Sequence, residues 1–342
     1  MRKPAYFLGV DGGGTKTHAL ISNETGQVLG FGAAGIANWE MVGLGGLTAT
    51  LQTSVGQALN MAGIGITDIA GAGMGLAGYD WPSQREIILG AIQPLGLDCP
   101  LEIVNDATLG IFAGATQGWG VSIVSGTGCN CRGWGKDRHS QGRMVGGSPE
   151  WSGEYAGGYD ILMRAMRAVT YEWGRRGPAT ALSQVFLQAT GAKNLDELVE
   201  GLYIHKYPIE ASMVLLVFQT AAQGDPEAIN VLRWAGGQLG DMACGVIRQL
   251  RLENEPVQVV LIGSVFNGQS LMTDSLRETI HSVAPGALLV RLEAPPVVGG
   301  VLLGMEQVIG QQAYSQRKKL LTSTRALVPV RPPQTVEKPE NA

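Results

Sequence analysis

Phe7-Leu-Gly-Val-Asp11-Gly-Gly-Gly-Thr15-Lys-Thr17 predicts a buried strand that ends in a carboxylate, then a glycine turn and a second strand. The run from Tyr6 to Val10 is apolar and rich in strand-forming residues. Gly12, Gly13 and Gly14 allow a tight turn and leave backbone N–H groups uncovered, so the turn can surround an anion. A glycine-rich hairpin without a ligand is the simpler alternative.

The residues around the glycines favour phosphate as the anion. Thr15, Lys16 and Thr17 can supply hydroxyl and ammonium donors, and Asp11 can hold a water of Mg²⁺, which favours oxygen ligands. The pattern is neither a P-loop nor a dinucleotide-binding loop, because the residues after the turn predict a strand instead of a helix. The motif therefore indicates a phosphate-binding turn of another kind.

The composition is typical of a globular protein with two domains. The chain has 342 residues, of which 45% are hydrophobic and 16% are charged. Its net charge of −4 gives no basic surplus for nucleic acid or an anionic membrane, and no apolar run is long enough to span a bilayer. We therefore expect a cytoplasmic protein. Its four cysteines, which include the pair Cys129 and Cys131, lack a second pair at metal-ligand spacing and read as reduced thiols.

Further along the first half, strands alternate with helices. The patterns predict strands over 27–33, 69–76 and 101–104, and helices over 46–62, from about 82, and over 107–116. This alternation indicates a mixed sheet covered by helices.

The opening pattern then returns. Val121-Ser-Ile-Val-Ser125-Gly-Thr-Gly128-Cys-Asn-Cys-Arg-Gly-Trp134 again reads as strand, glycine turn and strand. Two copies suggest two related halves, although a chance likeness of two glycine turns is the alternative. Beyond them, helices are predicted over 179–250, with Asp225 as a cap, and over 297–312. Strands are predicted over 258–262 and 287–291, and a poorly ordered, proline-rich tail from about Ser315.

Two carboxylates and three glycine turns form the candidate constellation. Asp11 and Asp106 each follow an apolar strand, and strand ends are where α/β proteins bind ligands. Ser125–Gly128 and Gly263-Ser264 give the second and third turns. Phosphoryl transfer needs such parts: donors around the phosphates, a metal carboxylate and a base for the attacking hydroxyl. Taken alone, each feature is better explained structurally, and Asp106 would then be a helix cap after Val104.

As a set, these motifs resemble those of the acetate and sugar kinase, Hsp70 and actin superfamily. Within it, the chain is most similar to the BadF/BadG/BcrA/BcrD-type ATPases, which include N-acetylglucosamine kinase. The matching motifs are 11–17, 105–107, 125–130, 261–265 and 298–300. The resemblance implies an α/β fold of two ribonuclease H-like (actin-like ATPase) domains facing across a nucleotide cleft. We expect domains over 1–117 and 118–313, with the last helix packing back on the first, and a flexible tail over 314–342.

The resemblance also implies a role for each site residue. Asp11 would hold hydrated Mg²⁺, and Asp106 would be the general base for a sugar hydroxyl, taken to be O6. ATP would lie against the glycine turns, through Gly12, Gly13, Gly14, Thr15, Lys16, Gly126, Thr127, Gly128, Gly263 and Ser264. The sugar would contact Asn38, Gly78, Asp80, Asn130 and Glu154. The expected partners are a small sugar and a second copy of the chain, as family members are often dimers.

Two departures from the family pattern concern the sugar. Gly153-Glu-Tyr-Ala-Gly157 stands where the family often has Gly-Asp-Glu-Gly-Ser, so Glu154 replaces an aspartate that touches sugar. Trp39 follows Asn38 directly, whereas the similar kinases carry an aromatic residue one position later, here Glu40. Both departures leave the ATP motifs intact. The activity that the resemblance implies is phosphorylation of N-acetylglucosamine or glucosamine by ATP. The alternatives are an ATPase that activates a 2-hydroxyacyl-CoA dehydratase-type enzyme, and a non-catalytic sugar sensor.

Overall fold

The computed structural model describes residues 4–144, 149–267 and 270–327. Its strands are β1 Tyr6–Gly12, β2 Thr17–Asn23, β3 Val28–Ala34, β4 Ile69–Leu76, β5 Leu101–Val104, β6 Gly120–Ser125, β7 Cys129–Trp134, β8 Gln141–Met144, β9 Gln258–Ile262 and β10 Leu288–Arg291. Its helices are α1 Trp39–Ala62, α2 Arg85–Ile92, α3 Leu109–Gly114, α4 Pro149–Ser152, α5 Gly158–Trp173, α6 Ala181–Thr190, α7 Leu195–Tyr203, α8 Val214–Ala222, α9 Pro226–Gln249, α10 Ser270–His281, α11 Val297–Ile309 and α12 Arg317–Thr324.

The strands form two five-stranded mixed sheets of the same topology. The first has the order β3-β2-β1-β4-β5, and the second has the order β10-β9-β6-β7-β8. In each sheet an antiparallel meander of three strands is followed by two parallel strands, joined to the first strand of the meander. The predicted α/β class and the repeat of the opening pattern are thereby confirmed. The predicted cleft between the halves stays a prediction.

The chain divides into two compact units, and the division differs from the predicted domains. The first unit comprises the residues up to Thr116 together with those from Glu293 onward, and the second spans Gln117–Leu292. We expected the second domain to run to residue 313. The difference arises because α11, the last long helix, packs on β1 and β4 of the first unit.

Glycines on both sides let α11 approach these strands at backbone distance. A Cβ on Gly9 of β1 would lie 2.3 Å from the backbone nitrogen of Val301, and one on Gly73 of β4 would lie 2.3 Å from the carbonyl oxygen of Gly300. Because no other residue lacks a Cβ, this interface requires glycine. The rest of the core of this unit is mostly aliphatic, with Leu8, Leu47, Leu51 and Ile103 fully buried, as is the aromatic Phe7.

The expected tail is helical where the structure describes it. Residues Gly310–Gln316 form a 3-10 helix and α12 follows directly, so ordered structure continues past residue 314. The guanidinium of Arg317 donates hydrogen bonds to the carbonyls of Ala113 (2.6 and 2.9 Å) and Gly114 (3.0 Å) at the end of α3. Residues 328–342 of the predicted tail lie outside the described residues.

Other bounds follow the sequence closely, with two differences. Helix α1 begins at Trp39, earlier than predicted, because Asn38 caps it there. The helix is kinked at Gly43 (φ 69°), so the turn before the predicted start belongs to a separate helical segment. Strand β8 was not predicted. Among the described residues, no helix has the length and apolar character needed to cross a membrane.

Candidate active site

Three of the predicted motifs of the first unit meet at one edge of its sheet. Strands β1, β4 and β5 run parallel, so their carboxyl ends share that edge. Asp11 is the last residue but one of β1, Gly78 comes two residues after β4, and Asp106 comes two residues after β5. In such sheets, ligands bind outside the carboxyl ends of the strands. The first unit thus brings together the predicted metal carboxylate, the predicted base and the predicted sugar loop.

The carboxyl of Asp11 is partly buried and is a weaker acid than an ordinary aspartate. Burial, and then the negative charge of Asp106, raise the pKa of Asp11 from 3.8 to about 7, while Lys16 opposes the rise. Two carboxylates this close favour a bound cation that offsets their repulsion. Among the described residues no group of three or more His, Cys, Asp or Glu could hold a metal. One carboxylate with waters and phosphate oxygens is the usual way that Mg²⁺ binds, and Asp11 fits it.

The first glycine turn is tight, but not through unusual backbone angles. The N–H of Gly13 donates to the carbonyl of Lys16 over 3.0 Å, which closes the hairpin. Gly12, Gly13 and Gly14 all keep negative φ, contrary to the expected reason for these glycines. A Cβ on Gly14 would meet no atom within 4 Å. The hydroxyl of Thr17 is buried and donates to the carbonyl of Gly35 at 2.8 Å, so it is no phosphate donor, whereas Thr15 and Lys16 are exposed.

The predicted sugar residues of the first unit form one network. A Cβ on Gly78 (φ 80°) would lie 2.6 Å from Oδ1 of Asn38, and the indole N–H of Trp39 donates to the carbonyl of Gly78 at 2.7 Å. Asp80 is fixed by Asn105, whose side-chain N–H₂ donates to Oδ1 of Asp80 at 3.0 Å. Burial and the charge of Asp80 raise the pKa of Glu40.

Asn105 is a residue that the sequence analysis did not assign to the site. It is 5% exposed and also donates to the carbonyl of Tyr79 at 3.3 Å. Its Oδ1 accepts from the N–H of Ala107 at 3.0 Å, capping the 3-10 helix Asp106–Thr108. One side chain therefore holds both the Asp80 loop and the turn that carries Asp106. Its place beside Asp106 in the sequence was the one available signal.

In the second unit, the second and third glycine turns lie against each other. The N–H of Gly126 donates to the carbonyl of Gly128 at 2.9 Å, and a Cβ on either glycine would meet no atom within 4 Å. Gly263 has φ 111°, and its Cβ would lie 2.0 Å from the carbonyl oxygen of Ser125. Ser264 is exposed and begins a 3-10 helix. The predicted phosphate and adenosine motifs of this unit are thus neighbours.

Arg291 is a second residue that the sequence analysis missed. At the end of β10 its guanidinium donates to the carbonyls of Leu261 (3.0 Å) and Gly263 (2.7 Å) and to Oδ1 of Asn267 (2.7 Å). These acceptors flank the predicted adenosine turn, and partial burial lowers the pKa of Arg291. An arginine at the end of a short strand carries no pattern that would have marked it.

The remaining predicted sugar residues lie at and beside β7. Oδ1 of Asn130 accepts a hydrogen bond from Nε of Arg132 at 3.0 Å. Glu154 is 7% exposed, and its charge helps to raise the pKa of both Cys129 and Cys131, so it lies near the start of β7. Burial is the larger cause, and it raises the pKa of Cys129 to about 12. Both thiols are therefore kept protonated at neutral pH.

Comparisons with known proteins identify the family of this chain and proteins of similar sequence and fold. The model of the BadF/BadG/BcrA/BcrD ATPase family matches residues 8–304. An N-acetylmuramic acid/N-acetylglucosamine kinase of Clostridium acetobutylicum is 26% identical over 88% of this chain and 99% of its own length. An N-acetyl-D-glucosamine kinase of Dictyostelium discoideum is 28% identical over 87% of this chain and 97% of its own length. The structure of a ROK family glucokinase of Streptomyces griseus, solved with glucose and AMPPNP, has a TM-score of 0.53 and is 20% identical in sequence. The match covers 88% of this chain and 100% of the glucokinase chain.

Proposed function

The chain belongs to the BadF/BadG/BcrA/BcrD ATPase family, and we propose that it transfers a phosphoryl group from ATP to an amino sugar, N-acetylglucosamine or glucosamine. Two relatives matched over nearly their whole length are named as N-acetylglucosamine kinases, which supports a sugar as the acceptor. A homodimer, as the family suggests, remains part of this proposal.

The observation that carries the proposal is the set of glycines that the fold does not need. Gly14, Gly126 and Gly128 have neither positive φ nor a neighbour that a Cβ would strike. Glycine costs conformational entropy, so a use outside folding is the physical reason for it here. Without a side chain, these positions let phosphate oxygens approach the backbone closely.

The reacting groups would come from the first unit. Asp106 is partly exposed at the end of β5, where it can accept the proton of the attacking hydroxyl, taken to be O6. Asp11 would hold Mg²⁺ with its waters, and the ion would neutralise phosphate charge. Lys16 is exposed at the glycine turn, where its ammonium group would face the transferred phosphate. Asn105 orders both the base and the sugar loop.

The charge of the sugar loops supports a neutral or cationic acceptor. Glu40 and Asp80 lie close enough for the charge of Asp80 to raise the pKa of Glu40. A free amino group would be attracted to this pair, whereas the carboxylate of a muramic acid would be repelled. We therefore place glucosamine and N-acetylglucosamine ahead of N-acetylmuramic acid.

A coupled assay of ADP release tests the proposal. Mg-ATP is supplied with N-acetylglucosamine, glucosamine, N-acetylmuramic acid, N-acetylmannosamine, glucose or no sugar, and turnover should require one amino sugar. Asp106→Asn should lower kcat by about 10²–10⁴-fold while calorimetry still detects sugar binding. Asp274→Asn, at an exposed carboxylate of α10, is the matched control.

Each other outcome has a distinct meaning. Equal ADP release with and without every sugar would favour the ATPase activator, and a brown iron–sulfur protein would support it further. Sugar binding without turnover in the unaltered protein would favour the sensor. Full activity in Asp106→Asn would remove that residue as the base.

A further inference from the structure

Ala156 has a backbone conformation that L-residues rarely adopt. Its φ is 100°, and the residue is fully buried. Such strain persists only where the surroundings enforce it. Glu154, the proposed sugar carboxylate, lies two residues earlier. The strained residue thus stands between a proposed sugar contact and helix α5.

Both backbone groups of Ala156 are held by side chains. The hydroxyl of Ser125, at the end of β6, donates to the carbonyl of Ala156 at 2.7 Å. Oδ2 of Asp160, in the first turn of α5, accepts from the N–H groups of Ala156 (3.2 Å) and Gly157 (2.9 Å). The strain is therefore enforced from the phosphate turn on one side and from the helix on the other.

The next three residues lie on the phosphate turn itself. The N–H of Gly158 donates to the carbonyl of Gly126 at 2.7 Å, and that of Tyr159 donates to the carbonyl of Thr127 at 3.3 Å. A Cβ on Gly157 would lie 2.5 Å from Cα of Gly128, so the two backbones are in direct contact. We call the segment Ala156–Tyr159 the clasp, because every residue in it contacts the turn Ser125–Gly128.

We propose that the clasp makes the binding of sugar and nucleotide interdependent, with Ser125 as its positioning residue. The inference rests on the proposed function, since Glu154 is to contact the sugar and the turn is to contact the phosphates. A ligand that fixes either end fixes the other through the same backbone. We expect each ligand to raise the affinity for the other, and by linkage the factor is the same in both directions.

The measurement is the coupling factor: the Kd of Mg-AMPPNP without sugar divided by its Kd with saturating N-acetylglucosamine, or with glucosamine if the ADP assay selects it. Calorimetry on the full chain provides both values. The unaltered protein should give a factor of about 5 or more. Ser125→Ala and Ala156→Gly should each bring it to about 1 while each ligand alone still binds. Ala156→Gly should also raise the Tm, because glycine tolerates this φ.

Controls and contrary results separate the two proposals. Ser140→Ala, at an exposed serine that bonds Asp137 between β7 and β8, should keep the full factor. Unaltered coupling in both folded clasp variants would overturn the clasp and leave the kinase standing. If the unaltered protein binds both ligands but neither changes the affinity for the other, the clasp is also overturned and the kinase again stands. Failure of the unaltered protein to bind either ligand would instead overturn the proposed function, and the clasp with it.

Discussion

The side-chain amide of Asn105 donates a hydrogen bond to Oδ1 of Asp80 over 3.0 Å. The other end of the same amide caps the turn of Asp106, so one buried group orients two carboxylates of the proposed reaction. Asn105→Ala should raise the KM for the sugar about tenfold and lower kcat, because a lost buried hydrogen bond costs about 1–3 kcal/mol. The KM for ATP should change little. Asn230→Ala, at an exposed asparagine of α9, is the control, and an unchanged sugar KM would contradict this role.

The acidity of Asp11 predicts how stability varies with pH in EDTA. Because the folded protein binds this proton more tightly than the unfolded chain, stability should fall as pH rises from about 4 to about 7. The contribution of Asp11 to stability is fully present below about pH 4 and fully lost above about pH 7. Asp11→Asn should flatten this part of the profile of urea midpoint against pH. Parallel profiles for the two proteins would show that Asp11 is not the group responsible.

Two glycine-to-alanine changes should act in opposite ways. Gly126→Ala adds a methyl group in open space, so the Tm should hold, but the KM for ATP should rise about tenfold if phosphate approaches there. Gly300→Ala places a methyl group 2.8 Å from the carbonyl of Gly73 and 2.9 Å from the nitrogen of Val10. It should destabilise the protein by about 1–3 kcal/mol, which urea unfolding measures. Equal losses of stability in the two variants would show that Gly126, like Gly300, is needed for folding.

Arg291 should determine nucleotide affinity through the turn at Gly263. Arg291→Met removes three hydrogen bonds, so the KM for ATP should rise about tenfold while the KM for the sugar holds. Arg291→Lys should rescue it in part, because an ammonium group cannot reproduce the fork of a guanidinium. Arg277→Met, at an exposed arginine, is the control. Equal rises in both KM values would indicate a general structural role instead.

Local patterns predicted the elements well and the distant contacts poorly. The apolar runs over 69–76, 101–104 and 258–262 became strands with those bounds, and Asp225 caps α9 as predicted. Strand β8, Gln-Gly-Arg-Met, was missed because it is short and has no alternating pattern. Its place is fixed by pairing with β7.

The site residues that were missed depend on contacts far apart in the sequence. Arg291 meets its acceptors 24–30 positions earlier, and Asn105 meets Tyr79 and Asp80 26 and 25 positions earlier. No window of sequence contains such a pair. The motifs at Asp11, Asp106 and Ser125–Gly128 were recognisable because each is a complete local unit, a strand end followed by a turn.

The glycine seat of α11 on β1 and β4 has a consequence for synthesis on the ribosome. The first unit needs residues from Glu293 onward, whereas the second is a continuous stretch that ends at Leu292. Translation therefore delivers every residue of the second unit before it delivers the helix that completes the first. The amino-terminal sheet is made first and keeps the face that α11 covers exposed until then, and such transiently exposed surface is prone to aggregation.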